Sequence, residues 1–221
     1  MHRPGVPEDL EPPHVLWARA ATVAVAAPYN EHILDEEGLY FEGGGFSWWW
    51  RITLAPDGEA VFSGQDSDGS HTHLRDDPVD LLSGLPDRLS WPQLRADLRD
   101  RVLGYVYWYT GGAWHRVGYP DDVVDDGLAM SFDFLAGDER VVELLLAEGS
   151  GSPDADRTVT RFLTGARTRS LQPADVTALL TAVDPEAAAD PKRQDAALDV
   201  ARRAGLLSGS TAPLLGSTPA G

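Results

Sequence analysis

The chain has 221 residues, 43% of them hydrophobic and 24% charged, the proportions of a folded globular protein and too apolar for a disordered one. Its lack of cysteine excludes disulfides, thiolate metal sites, iron–sulfur clusters and cysteine nucleophiles. The formal net charge is −17, and residues 157–221 hold eight basic and six acidic groups, so residues 1–156 carry ten against twenty-nine, a field that repels nucleic acid and anionic lipid and attracts a basic partner.

Residues 1–13 are proline-rich and acidic, and Glu8, Asp9, Glu11 and Arg19 break any signal-peptide pattern. No run of about 18 apolar residues follows, so the expectation is a cytoplasmic protein without a membrane span. Residues 14–27 suit a helix ended by Pro28, although Thr22, Val23 and Val25 leave a strand possible. From Gly43-Gly44-Gly45 the chain alternates with period 2. Phe46, Trp48, Trp50, Ile52 and Leu54 share one strand face, Ser47, Trp49, Arg51 and Thr53 the other. Pro56-Asp57-Gly58 then turns the chain into a second arm at 60–63.

A polar loop over 65–77 leads to a short helix predicted at 78–84. Ser90, as N-cap before Trp91-Pro92, opens a helix to about Val102. Residues 104–109 and 113–117 form a second hairpin around Thr110-Gly111-Gly112, glycines suited to positive φ. Met130, Phe132 and Phe134 alternate as a further strand, and 138–147 fits either helix or strand. Residues 148–156 read as a linker, followed by helices at 157–168, 172–183 and from Asp190-Pro191 to Gly205. The prediction is an α+β fold: a mostly antiparallel sheet with flanking helices over 1–150, a helical region over 157–206 and a frayed tail over 207–221.

The sequence motifs of α/β-hydrolases, zincin proteases, P-loop NTPases and dinucleotide-binding folds are all missing, and no cofactor is expected. Asp66, Asp68 and Ser70 occupy positions 1, 3 and 5 of a calcium-type loop with Asp77 at position 12, but His71 stands where glycine is needed. His71 and His73 could instead pair on a transition metal, and a solvated turn explains the same residues. Asp121, Asp122, Asp125 and Asp126 follow an aromatic hairpin containing Trp114 and His115. Carboxylates beside aromatic rings are ingredients of a sugar site, with Asp121, Asp122 or His115 as the reacting groups. Trp49, if not packed under a helix, would join Trp108, Trp114 and the four aspartates in a face suited to a protein partner. Arg157, Arg161, Arg167 and Arg169 make the first C-terminal helix basic.

The segments FEGGGFSWWWRITLAPDGEAVFSGQDSD, GYVYWYTGGAW and YPDD resemble uncharacterised actinobacterial proteins with a similar glycine-aromatic strand and Gly-Gln-Asp turn, over about residues 38–128. The small acidic sheet-and-helix build looks like immunity proteins of bacterial toxin systems in general character. The resulting expectation is a protein-binding module that engages a basic protein. An enzyme or small-ligand binder and a metal-binding loop at 66–73 are the alternatives.

Overall fold

The computed structural model describes residues 9–27, 32–43, 45, 47–129, 136–147 and 154–216. The protein is α+β. Helix α1 (Pro13–Ala26) precedes four strands, β1 (His32–Leu34), β2 (Leu39–Gly43), β3 (Trp48–Leu54) and β4 (Ala60–Asp66). Helix α2 (Pro92–Arg99), β5 (Tyr105–Thr110) and β6 (Ala113–His115) follow, then α3 (Asp138–Leu146), α4 (Ala155–Thr168), α5 (Pro173–Val183), α6 (Pro185–Ala189) and α7 (Pro191–Arg203). The strands form one antiparallel sheet in sequence order. The chain gathers into two compact units: residues 9–13, 40–129 and 214–216, and residues 14–27, 32–39, 136–147 and 154–213. The alternating strand expected at Met130, Phe132 and Phe134, the strand's first residue Phe46 and most of the linker lie outside the described residues.

In the first unit, turn chemistry sets the register. Asp57 and Gly58 adopt φ of 58° and 75°, which brings Trp50 opposite Gly64 and Ile52 opposite Phe62. Gly111 and Gly112, at 60° and 84°, place Tyr109 opposite Trp114. One sheet face is an aromatic row: Phe41 packs on Trp50, Trp50 on Phe62, Phe62 on Tyr105 and Tyr105 on Tyr107, with ring centroids 5.6–6.1 Å apart. Trp50 is fully buried whereas Trp48, expected in the core with it, is half-buried near the strand's start. On the opposite face Val61, Val106 and Trp108 pack with Leu81, Leu85, Leu89, Trp91, Leu94 and Leu103, and Trp49 lies against the same cluster.

Two local predictions in this unit need correction. Residues 78–84 form no helix: 78–80 are irregular and 81–84 a turn, because Asp80 accepts the Leu82 and Ser83 amides through its carboxylate and carbonyl, and Gly84 takes φ of 86°. The next helix has Trp91, not Ser90, at its N-cap, since Pro92 fixes the first helical position; it ends at Arg99, before Arg101 turns left-handed at φ 58°.

In the second unit α1 is the buried element. From Leu16 to Ala26 every residue is buried, as a helix apolar on all sides requires. Its polar groups are accounted for. Thr22 donates to the Ala18 carbonyl at 2.7 Å, and the Trp17 indole N–H donates to the Ala204 carbonyl at 2.8 Å. Arg19, only 4% exposed, donates through Nε to Asp138 Oδ1 at 2.7 Å, and Arg167 bonds the same oxygen. Asp138 opens α3, so the helix dipole reinforces its charge. The segment 138–147, ambiguous in sequence, is thereby helical.

The later helices are set by their caps. Gln172 and Asp175 form a capping box, and the side chains of Asp184 and Asp190 accept the Ala187 and Lys192 amides at 2.9 Å. Helix α6 has no counterpart among the helices expected from the sequence. Of the tail over 207–221, expected to fray, residues 217–221 lie outside the described residues; in the rest Leu207 bridges Leu171 within the second unit, and the Leu215 amide donates to the Leu54 carbonyl at 2.7 Å within the first.

His32, in β1, is 8% exposed, and burial pushes its pKa down to about 4. The unfolded chain therefore binds a proton that the folded chain refuses between roughly pH 6.5 and 4, and stability falls as pH drops through that window. The expected loss is about 3 kcal/mol, from 1.36 kcal/mol per pKa unit. Urea titrations at pH 7 and 4.5 check this, with His32→Gln expected to flatten the dependence.

Candidate functional site

At the end of β4 the chain enters a turn closed by its own side chains. The Ser70 amide donates to the Asp66 carbonyl, the Asp66 amide donates to Ser70 Oγ, both at 3.0 Å, and Asp66 Oδ1 accepts the Asp68 amide at 3.1 Å. Ser70 is fully buried between two glycines: a Cβ at Gly104 or at Gly127 would sit 2.2 Å from its hydroxyl oxygen. Thr72 donates to the Gly104 carbonyl. The Gln65 amide nitrogen reaches both the Arg101 carbonyl, at 3.2 Å, and His73 Nε2, at 3.1 Å. The carbonyl fixes that nitrogen as a donor, so His73 Nε2 accepts and the imidazole is neutral in this arrangement. Burial lowers the His73 pKa in the same direction, against the opposing charge of Asp66.

A second loop, 116–128, is tied to the first. The His71 amide donates to the Asp125 carbonyl at 2.9 Å, and Arg75 pairs with Asp122 at 3.0 Å. Beneath it lies Asp126, completely buried, whose Oδ2 accepts the hydroxyls of Tyr107 at 2.7 Å and Tyr119 at 3.0 Å, while Oδ1 accepts the Leu128 amide at 3.1 Å. Burial first, then the charge of Asp126, drives both phenol pKa values upward, so the two tyrosines remain donors. The Arg116 guanidinium stacks 3.9 Å from the Tyr119 ring centre. Tyr119, Val123, Val124 and Asp125 help to line an open cleft of about 150 Å³.

The two acidic stretches singled out in the sequence thus become one surface. Asp68, Asp76, Asp77, Asp80, Asp121 and Asp122 are exposed on it, Asp125 is half-buried, and Asp126 is its internal support. Counted over residues 1–13, 40–133 and 214–218, the first unit carries nineteen acidic and eight basic groups, a formal charge of −11.

Other expected site residues are placed elsewhere. Trp108 and Trp114 are each 6% exposed, and Trp49 is half-buried, so these three do not form a solvent-facing aromatic platform. Trp108 is covered by the cluster built from residues 81–103, and the Trp114 indole donates to the Glu11 carbonyl at 2.8 Å. Asp126 is corrected from a surface contact to a buried acceptor. No group of three or more metal-ligating side chains converges among the described residues. Asp66 is used in closing the turn, and His73 Nε2 faces Gln65. His115 is exposed beside Trp108 and holds its Nε2 3.2 Å from the Thr110 carbonyl. In the basic helix, Arg157 pairs with Asp154 and Arg167 with Asp138. Gly104, Gly127, Tyr107 and Tyr119, which shape the surface, carry no local sequence signal, and Ser70, singled out as a calcium-loop position, serves instead to close the turn.

No helix among the described residues is long and apolar enough to cross a membrane. Comparison with protein-family models, with curated proteins and with solved structures finds no match, so the functional reading rests on the residues themselves.

Proposed function

We propose that the protein is a cytoplasmic, acidic protein-binding module, an adaptor or an immunity-type inhibitor, that engages a basic partner protein through the surface of residues 66–80 and 116–128. One observation carries this reading: two acid-rich loops, distant in sequence, are stitched together so that their carboxylates share one face. Like charges held side by side cost free energy in the free protein, and a cationic partner relieves that cost. Attraction of this kind speeds encounter and weakens with salt.

Capture from a high-GC actinobacterial lysate at low and high salt tests the proposal, with the Asp76→Asn/Asp77→Asn/Asp121→Asn/Asp122→Asn chain alongside. The expected result is a defined basic protein held at low salt, released at high salt and bound at least tenfold more weakly by the variant once purified. Equal affinity for both chains contradicts the proposal.

A further inference from the structure

We infer that Leu74, Val102 and Val124 are apolar anchors of this surface, and that the segment docking on it is an amphipathic basic one. The inference rests on the proposed protein-binding role and specifies the chemistry of its partner. Among the described residues of the first unit, these three are its exposed large apolar side chains, at 54%, 37% and 70%. A single exposed leucine needs no explanation. Here the three stand on three loops joined by hydrogen bonds at one end of the sheet. Gln65 joins His73, beside Leu74, to Arg101, beside Val102. The His71 amide joins the first loop to Asp125, beside Val124.

Exposed carboxylates lie near Leu74 and Val124 in the chain, while Arg99, Asp100 and Arg101 are exposed beside Val102. Asp76, Asp77 and Asp121 have no cationic partner among the described residues, and Asp122 has Arg75. Apolar side chains within a charged rim are the usual anatomy of a protein interface. The rim selects the occupant. A second copy of the chain would set −17 against −17, and a nucleic acid or anionic lipid would meet the same repulsion. A segment bearing Lys or Arg on its flanks and Leu or Val at its centre satisfies both features. The cleft beside Val124 is walled by Tyr119, Val123 and Asp125 together with Arg116, whose guanidinium already covers the Tyr119 ring, so what the cleft adds for the partner is the Val123 and Val124 wall.

Two synthetic peptides of equal length and charge test this on the full isotope-labelled chain by NMR and calorimetry. One carries lysines with leucines at helical spacing; the other replaces every leucine with serine. The leucine peptide should bind at least tenfold more tightly, with amide shifts centred on residues 74, 102 and 124. Leu74→Ser/Val124→Ser should bring it down to the serine peptide's affinity without changing the melting temperature appreciably, because both side chains are exposed. Equal affinities, or shifts spread over the acidic residues and indifferent to the double variant, would overturn the apolar anchors while leaving the acidic binding module standing. Binding of neither peptide at low salt would overturn both.

Discussion

Replacing Asp126 with alanine is expected to cost about 4 kcal/mol of stability, the sum of leaving two buried donors and one half-buried donor without an acceptor at ~1–3 kcal/mol each, partly relieved by relaxation. The donors are the hydroxyls of Tyr107 and Tyr119 and the amide of Leu128. Neither phenol can escape by losing its proton, because burial, the larger cause of their raised pKa values, favours the protonated form even with the carboxylate gone. Asp126→Asn should lose roughly half as much, since the amide keeps one acceptor oxygen but turns a donor toward groups that also donate. Urea denaturation measures both. A loss below about 1 kcal/mol for alanine would mean that water replaces the carboxylate. The effect should reach the surface as well, because Asp125 holds the His71 amide: hydrogen exchange at His71 should quicken in Asp126→Ala.

Asp138→Ala is expected to cost about 3–5 kcal/mol, the usual result of stripping a buried ion pair of one partner. Arg19 is the reason, being 4% exposed in a helix that is otherwise apolar, and Asp138 is its acceptor at 2.7 Å. Replacing both, as Arg19→Met with Asp138→Leu, should cost less than the single change, because the deeply buried Arg19 charge is then gone and only the part-exposed Arg167 loses its partner. Burial works to raise the Asp138 carboxyl, but hydrogen bonds from Arg19 and Arg167 outweigh it and hold the pKa below its ordinary value. With a depressed folded-state pKa, the stabilisation is complete above the unfolded aspartate value and is lost as pH falls through the lower folded value. Thermal melts from pH 5 down to pH 2 should therefore show a steeper decline for the wild type than for Asp138→Ala, which keeps only the decline due to the other groups.

The parts of this architecture legible in sequence are those set by local chemistry. Alternation in β3 and the turn residues Asp57-Gly58 and Gly111-Gly112 specify two hairpins, because period 2 and positive φ are properties of neighbouring residues. Helix α1 reads as apolar on every side, which is why it is buried. The same alternation sets Trp49 on the face opposite Trp50 but does not say what covers that face; the cover, which Trp108 shares, comes from residues 81–103. The acidic surface was visible only as two separate runs. Their union depends on Ser70 fitting between Gly104 and Gly127, and on His71 meeting Asp125, contacts that join loops far apart in the chain. The misplaced cap at Ser90 is a smaller case, in which Pro92 shifts the helix start by one residue.

The most direct test of the acidic surface is a hydrogen-exchange footprint of the full chain with a purified basic partner, compared with the chain alone. Protection confined to residues 66–80, 100–104 and 116–128, and abolished by high salt, is the predicted result. Protection centred on the second unit, or a footprint unchanged by salt, would contradict the account and move the binding site away from the acidic loops.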